Sequence, residues 1–230
     1  MAEWRFGRGW SEAALERKLA DVRSLERNFD PSRPMTPERG WRRHGSETVV
    51  AREGAGPPEP GGAFRRGWEA VTRYEFSDPG IVRGHFDPGE PLERRRMLLE
   101  MKTLGFRFLA GVMVGAVRRE QGEAETVHGF RYDTLHGHIE SGWEWFLLTK
   151  SHATGEIRFR IAADWRPGEF PNAWSRLGFR FLGPHYQRRW SRRAHLRLRR
   201  IIAAGAPVPH PEARLLHQGS RSVPVQREEP

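Results

Sequence analysis

The feature that most constrains this chain is a change of period late in its length. Ile157, Phe159 and Ile161 alternate with Arg158 and Arg160, the two-residue rhythm of a half-buried strand. From Trp174 onward the rhythm turns helical. Tyr186, Trp190, Ala194, Leu198 and Ile201 recur at spacings of four, four, four and three, with arginines on the other faces. This predicts one long amphipathic helix over residues 184–204, capped by Gly205. An apolar helical stripe has to be buried, and the alternating strands before it offer the surface.

The stretch ahead of that helix reads as antiparallel sheet. Residues 94–102, 106–118, 129–135, 143–149 and 157–161 are the strands, and SHATG at 151–155 is a hairpin turn. Pro167, Gly168 and Pro171 end the sheet. Nearer the N-terminus, Ser11 followed by Glu12 opens a helix over residues 12–27, with Leu15, Leu19, Val22 and Leu25 on one face. Three prolines between Asp30 and Gly40 stop it. GAGPPEPGG at 54–62 is a loop, and a short helix at 64–73 carries Phe64, Trp68 and Val71 on one face. The pattern defines an α+β fold in which the apolar stripe of the long last helix lies across the inner face of an antiparallel sheet, with an N-terminal helix in addition. Residues 1–204 read as a single domain, and 205–230 as a proline-rich, disordered tail.

Composition narrows the chemistry. With no cysteine, disulfides, thiol nucleophiles and thiolate zinc sites are excluded. The formal charge is +10, and of the 39 basic residues all but Lys18, Lys102 and Lys150 are arginine. The excess is local: residues 156–204 alone carry +9, whereas 68–155 carry −2. Arg188, Arg189, Arg192, Arg193 and Arg200 thus form a candidate surface anion patch for nucleic acid or an acidic membrane surface. The opposing reading is the solvated outer face of a core helix, with Trp190 turned inward, and the regular stripe favours it. The apolar run 104–117 holds Arg107 and is too short to span a bilayer, and MAEWRFGRGW lacks a signal-peptide core, which predicts a cytoplasmic protein.

Chemistry-bearing residues gather in GFRYDTLHGHIESGWEWF at 129–146. A histidine beside a carboxylate there could act as a general base, with His138 as base and Glu140 or Glu144 orienting it. His136, His138 and Glu140 could also share one side of an extended backbone, as metal ligands do. The plainer alternative is a hairpin whose polar side chains satisfy its own backbone, and this outweighs catalysis, with metal binding well behind. Phe106, Phe108, Trp143, Trp145, Phe146, Trp165, Trp174, Phe179 and Phe181 could line an apolar pocket, although such residues usually build a core. A phosphate-binding glycine loop, a dinucleotide fingerprint, a serine elbow and a zinc-protease helix are all missing.

Tyr132, Thr134, Leu135, Gly137, His138, Glu140, Gly142, Glu144 and Phe146 resemble the signature of the family called domain of unknown function nineteen-ninety. Arg166–Pro167, the basic terminal helix with Gln187 and Arg188, and the opening FGRGWSEAALERKLA extend the likeness over residues 4–203. Asp133, His136, Ile139 and Trp143 depart from the family pattern, which puts a shared ligand geometry in question. The family is similar to the START-like helix-grip folds, which implies a curved antiparallel sheet gripping a long C-terminal helix, and in such folds the space between sheet and helix often binds apolar ligands. The resemblance therefore implies a binder of an apolar or amphipathic small molecule without a cofactor, with Tyr132, Thr134, His138, Glu140, Glu144 and Arg166 as polar contacts.

Overall fold

The computed structural model describes residues 3–103, 105–168 and 173–205, with side chains from 185 onward in the last stretch. Twelve elements follow one another: β1 (Glu3–Phe6), α1 (Glu12–Val22), a 3-10 turn (Pro37–Arg39), β2 (Arg42–Arg52), α2 (Ala63–Thr72), β3 (Val82–His85), β4 (Arg96–Thr103), β5 (Phe106–Gln121), β6 (Glu125–Thr134), β7 (Glu140–Ser151), β8 (Glu156–Pro167) and α3 (Ala173–Ala203). The strands form one antiparallel sheet in the order β2-β8-β7-β6-β5-β4-β3, and β1 pairs with the start of β5. Bulges at Val49/Ala51 in β2 and Val114/Ala116 in β5 bend their strands and curve the sheet.

Alternation sorts the side chains onto two faces. Phe130, Phe146, Phe159, Leu148, Val112 and Leu99 project to the inner face. There they meet α2 and the stripe Trp190, Ala194, Leu198 and Ile201 of α3, all buried in one core. Each large side chain buried here contributes about 2 kcal/mol. The outer face carries a smaller cluster, in which Leu15 and Val22 of α1 and Trp10 pack on Leu98, Leu109 and Leu135. The sheet is thus covered on both faces, and α3 lies in its concave side. The sequence-based α+β architecture, a curved antiparallel sheet gripping a C-terminal helix, is the architecture observed.

Several boundaries differ from expectation. α1 ends at Val22 rather than at 27; the following residues turn, Leu25 N–H donating to Val22 C=O. Ser11 stands at the N-cap, but its hydroxyl makes no capping bond. β1, β2 and β3 carry no clear alternation and were not expected as strands. α3 begins at Ala173, eleven residues ahead of the expected start. Gly205 closes the helix at φ 77°, as a C-cap does. The expected hairpin at 151–155 joins β7 to β8, and Gly155 is required there twice over. Its φ is +66°, and a Cβ would lie 2.0 Å from the Glu53 carbonyl oxygen. The proline-rich tail beyond Gly205 lies outside the described residues, as do the side chains of Trp174, Phe179 and Phe181.

Candidate functional site

Antiparallel pairing sets Tyr132 of β6 directly opposite Glu144 of β7. Both side chains face inward, and the Tyr132 hydroxyl donates to Glu144 Oε2 at 2.5 Å. Glu140 shares this face at the start of β7, and its charge acts on Tyr132, Glu144 and Tyr186. Tyr74 arrives from the end of α2 and stands in the field of Glu144 and Tyr186. Tyr186 comes from α3, its hydroxyl donating to the Ile81 carbonyl at 2.7 Å. The chain has only three tyrosines, and all three converge on Glu140 and Glu144.

Tyr74 reaches this position by holding a left-handed backbone at φ 60°, just beyond α2. A glycine is usual at such a helix end, and a side chain there costs about 1 kcal/mol. The conformation lays the Tyr74 ring against Phe76 at 4.8 Å and Phe146 at 5.8 Å between centroids. Phe146 also packs on Tyr132 and Trp190, so the polar cluster is walled by aromatic rings.

The electrostatics follow from burial. Removal from water pushes the Glu140 carboxyl up to about 7. Burial does the same to Glu144, up to about 8, against the Tyr132 hydrogen bond that favours its charged form. The phenols of Tyr74, Tyr132 and Tyr186 are all raised by the same desolvation. At neutral pH the phenols are uncharged, Glu144 is mostly protonated and Glu140 is about half protonated. Tyr132, Glu140 and Tyr186 stay half-buried, so the set keeps accessible surface on the inner face.

The other expected residues are placed differently. Thr134 is spent on structure: its hydroxyl lies 2.6 Å from Asn28 Oδ1 and accepts the Gly142 N–H at 2.8 Å. His138 is buried, and its Nδ1 accepts the Glu140 backbone N–H at 2.9 Å, while Nε2 has no hydrogen-bond partner among the described residues. Burial lowers its pKa to about 4, and its ring bonds Glu140 through the backbone and not through the carboxylate. The expected pairing of His138 with an orienting Glu140 or Glu144 carboxylate is therefore not formed. His136 sits on an exposed turn, and no group of residues suited to hold a metal ion occurs among the described residues.

Arg166 is separated from the rest. It opposes Ser141 in the register, so it points to the outer face, where its guanidinium lies 5.0 Å from the centroid of the Trp41 ring. The reason is parity: Glu140 and Glu144 share one face of β7, and Ser141 takes the other. Two of the departures from the family pattern also face outward. Asp133, fully buried, accepts from Arg27 Nε at 2.6 Å and from Arg131 Nε at 2.7 Å. Trp143 donates to the Met35 sulfur at 3.0 Å. Ile139 joins the inner core. Among the expected pocket aromatics, Trp143 and Trp145 flank Arg131 on the outer face, Phe106 is exposed, and Phe108 and Phe146 face the core.

On α3, Arg188, Arg189, Arg192, Arg193 and Arg200 are all exposed. Arg193 pairs with Asp78 at 2.9 Å; the other four meet no carboxylate among the described residues. Trp190 points inward, its Nε1 donating to Ser77 Oγ at 3.0 Å. No helix among the described residues is long and apolar enough to cross a membrane.

Tyr74 and Tyr186 escaped sequence reasoning. Tyr186 appeared only as part of a core stripe, and Tyr74 follows a short helix. The signal that could have found them was scarcity, three tyrosines against thirteen phenylalanines.

A concave sheet closed by a C-terminal helix, with a polar cluster between them, defines a helix-grip protein. The sequence profile described as Domain of unknown function (DUF1990) matches residues 27–196, and the chain belongs to that family. No curated protein matches the chain. Among solved structures, Ara h 8.0201 is 11% identical with a TM-score of 0.40, covering 72% of this chain and 99% of its own. Major latex-like protein 151 of Panax ginseng is 13% identical with a TM-score of 0.41, covering 73% and 99%. Human STARD10 is 7% identical with a TM-score of 0.38, covering 84% and 82%.

Proposed function

We propose that this single α+β domain binds an amphipathic small molecule between the inner face of its sheet and α3. The observation that carries the reading is the convergence of Tyr74, Tyr132 and Tyr186 on Glu140 and Glu144 against an otherwise apolar face. Two carboxyls largely withdrawn from water, with no cation beside them among the described residues, are expensive unless they stay protonated and hydrogen-bonded. Protonated, they donate and accept, which suits an uncharged polar end such as a hydroxyl, carbonyl or amide. Phe76, Phe146 and Trp190 supply the apolar wall for the rest of the molecule. Solvent extraction of the purified protein followed by mass spectrometry tests this. A stoichiometric amphiphile is expected, and an extract holding none would count against it.

General acid–base catalysis by His138 is less favoured, because its Nδ1 is occupied by a backbone N–H and burial weakens it as a base. A second reading rests on Arg188, Arg189, Arg192 and Arg200, which are exposed and meet no carboxylate among the described residues. Leu196, also exposed, lies on the same face between Arg192 and Arg200, a basic stripe with an apolar point that suits acidic lipid headgroups. Co-sedimentation with anionic vesicles that falls as salt rises is the expected behaviour. Equal binding to neutral vesicles would contradict it.

A further inference from the structure

On the face of the sheet opposite α3, a cavity of about 460 Å³ opens between the 28–41 loop and the ends of β2 and β8. Its walls carry Arg33, Arg39 and Arg166 against one acid, Asp30. We propose that this outer cavity binds a small molecule through a phosphate group, at a site separate from the inner one. Asp30 is already committed to Arg33, at 3.2 Å, and to the backbone N–H and hydroxyl of Ser32. Arg39 and Arg166 meet no carboxylate among the described residues. Two uncompensated guanidiniums facing one space match a dianion, and the guanidinium fork grips phosphate oxygens in pairs.

The frame is set in advance of any ligand. The Arg166 guanidinium lies over the Trp41 ring, which Phe29 meets edge-on at 6.1 Å between centroids, and takes no carboxylate among the described residues. The loop is pinned at its start by Asn28, whose backbone N–H donates to the Thr134 carbonyl at 3.2 Å and whose Nδ2 donates to the Glu140 carbonyl at 2.8 Å. Farther along, Met35 accepts the Trp143 indole N–H. Phe29, Pro34 and Trp41 give the cavity an apolar wall, and its volume exceeds what a bare phosphate ion fills. The phosphate is therefore expected on an organic body with an apolar surface.

The test is calorimetric titration of the full chain with phenyl phosphate, inorganic phosphate and benzoate. Phenyl phosphate is expected to bind in preference to both others. R39Q and R166Q should each weaken it by roughly tenfold or more, since each removes a charge-assisted hydrogen-bond pair. R65Q, at an exposed arginine of α2, should leave it unchanged. R39Q keeps the test decisive if loss of the Arg166 stack disturbs folding, because Arg39 is exposed and its guanidinium anchors nothing described. Absence of phenyl phosphate binding, binding unchanged in R39Q, or benzoate binding as tightly would each overturn the proposal. None of these results bears on the inner site, whose residues lie on the other face.

Discussion

Tyr132 and Glu144 are cross-strand partners whose side chains meet at 2.5 Å on the inner face of the sheet. The phenol is the hydrogen-bond donor, so it stabilises the charged carboxylate more than the acid. Tyr132→Phe should therefore push the Glu144 titration above its value of about 8. It should also cost about 1–2 kcal/mol in chemical denaturation, as loss of a buried hydrogen bond to a carboxyl does. Carbon-13 NMR of labelled glutamate reads the titration directly, and an unmoved or lowered value would contradict the geometry.

The two raised carboxyls give stability a definite slope. Their folded pKa values, about 7 for Glu140 and about 8 for Glu144, lie above the unfolded 4.5. Their contribution is complete below pH 4.5 and is lost as pH rises through 7 and 8. Glu144→Gln removes one of these titrations but keeps an acceptor for Tyr132. Its stability relative to the parent should accordingly improve from pH 5 to pH 8 and level off above, measured by urea unfolding, where a pH-independent difference is the opposing result.

His138 and His195 work in the other direction. Burial lowers each to about 4 from 6.5, so their neutral rings stabilise the fold above 6.5 and that contribution disappears as pH falls to 4. Each accounts for as much as about 3 kcal/mol. His195 accepts or donates one bond, to Ser46 Oγ at 2.9 Å, between α3 and β2. Acid unfolding should therefore begin near pH 6, and His195→Gln should shift its midpoint downward. An unchanged acid midpoint would show that this histidine is not held neutral.

Asp133 makes a separate, structural prediction. It is fully buried between Arg27 and Arg131, and the glycine at 115 makes room for it: a Cβ there would lie 2.0 Å from Asp133 Oδ2. Asp133→Ala should cost about 3 kcal/mol, because it leaves two guanidiniums without their carboxylate. Gly115→Ala should destabilise the parent strongly and the Asp133→Ala background far less, a coupling that a double-mutant cycle measures. Because Asp133 faces outward, neither change should alter inner-face binding.

β7, β8 and the terminal helix were legible because one face of each is apolar and the other polar, so the burial pattern is written as a period, while β4 and β5, covered on both faces, were legible as apolar runs. β2 was hidden for the same physical reason: its inward His44 and Ser46 contact Ser191 and His195 of α3, and no apolar alternation marks them. Of the site, Tyr132, Glu140 and Glu144 were legible because a hairpin brings near neighbours together. Tyr74 and Tyr186 come from distant helices, and only the fold unites them with Glu144. Arg166 was misassigned to this group because a family signature preserves order along the chain but not the face on which a residue ends.

The most direct measurement is native mass spectrometry of the protein with a long-chain alcohol, comparing the parent with Tyr132→Phe and Glu144→Ala. A one-to-one complex in the parent is expected, weakened roughly tenfold when either hydrogen-bonding group is removed. A parent that takes up no alcohol, or variants that bind it as tightly as the parent, would contradict an inner site built on Tyr132 and Glu144.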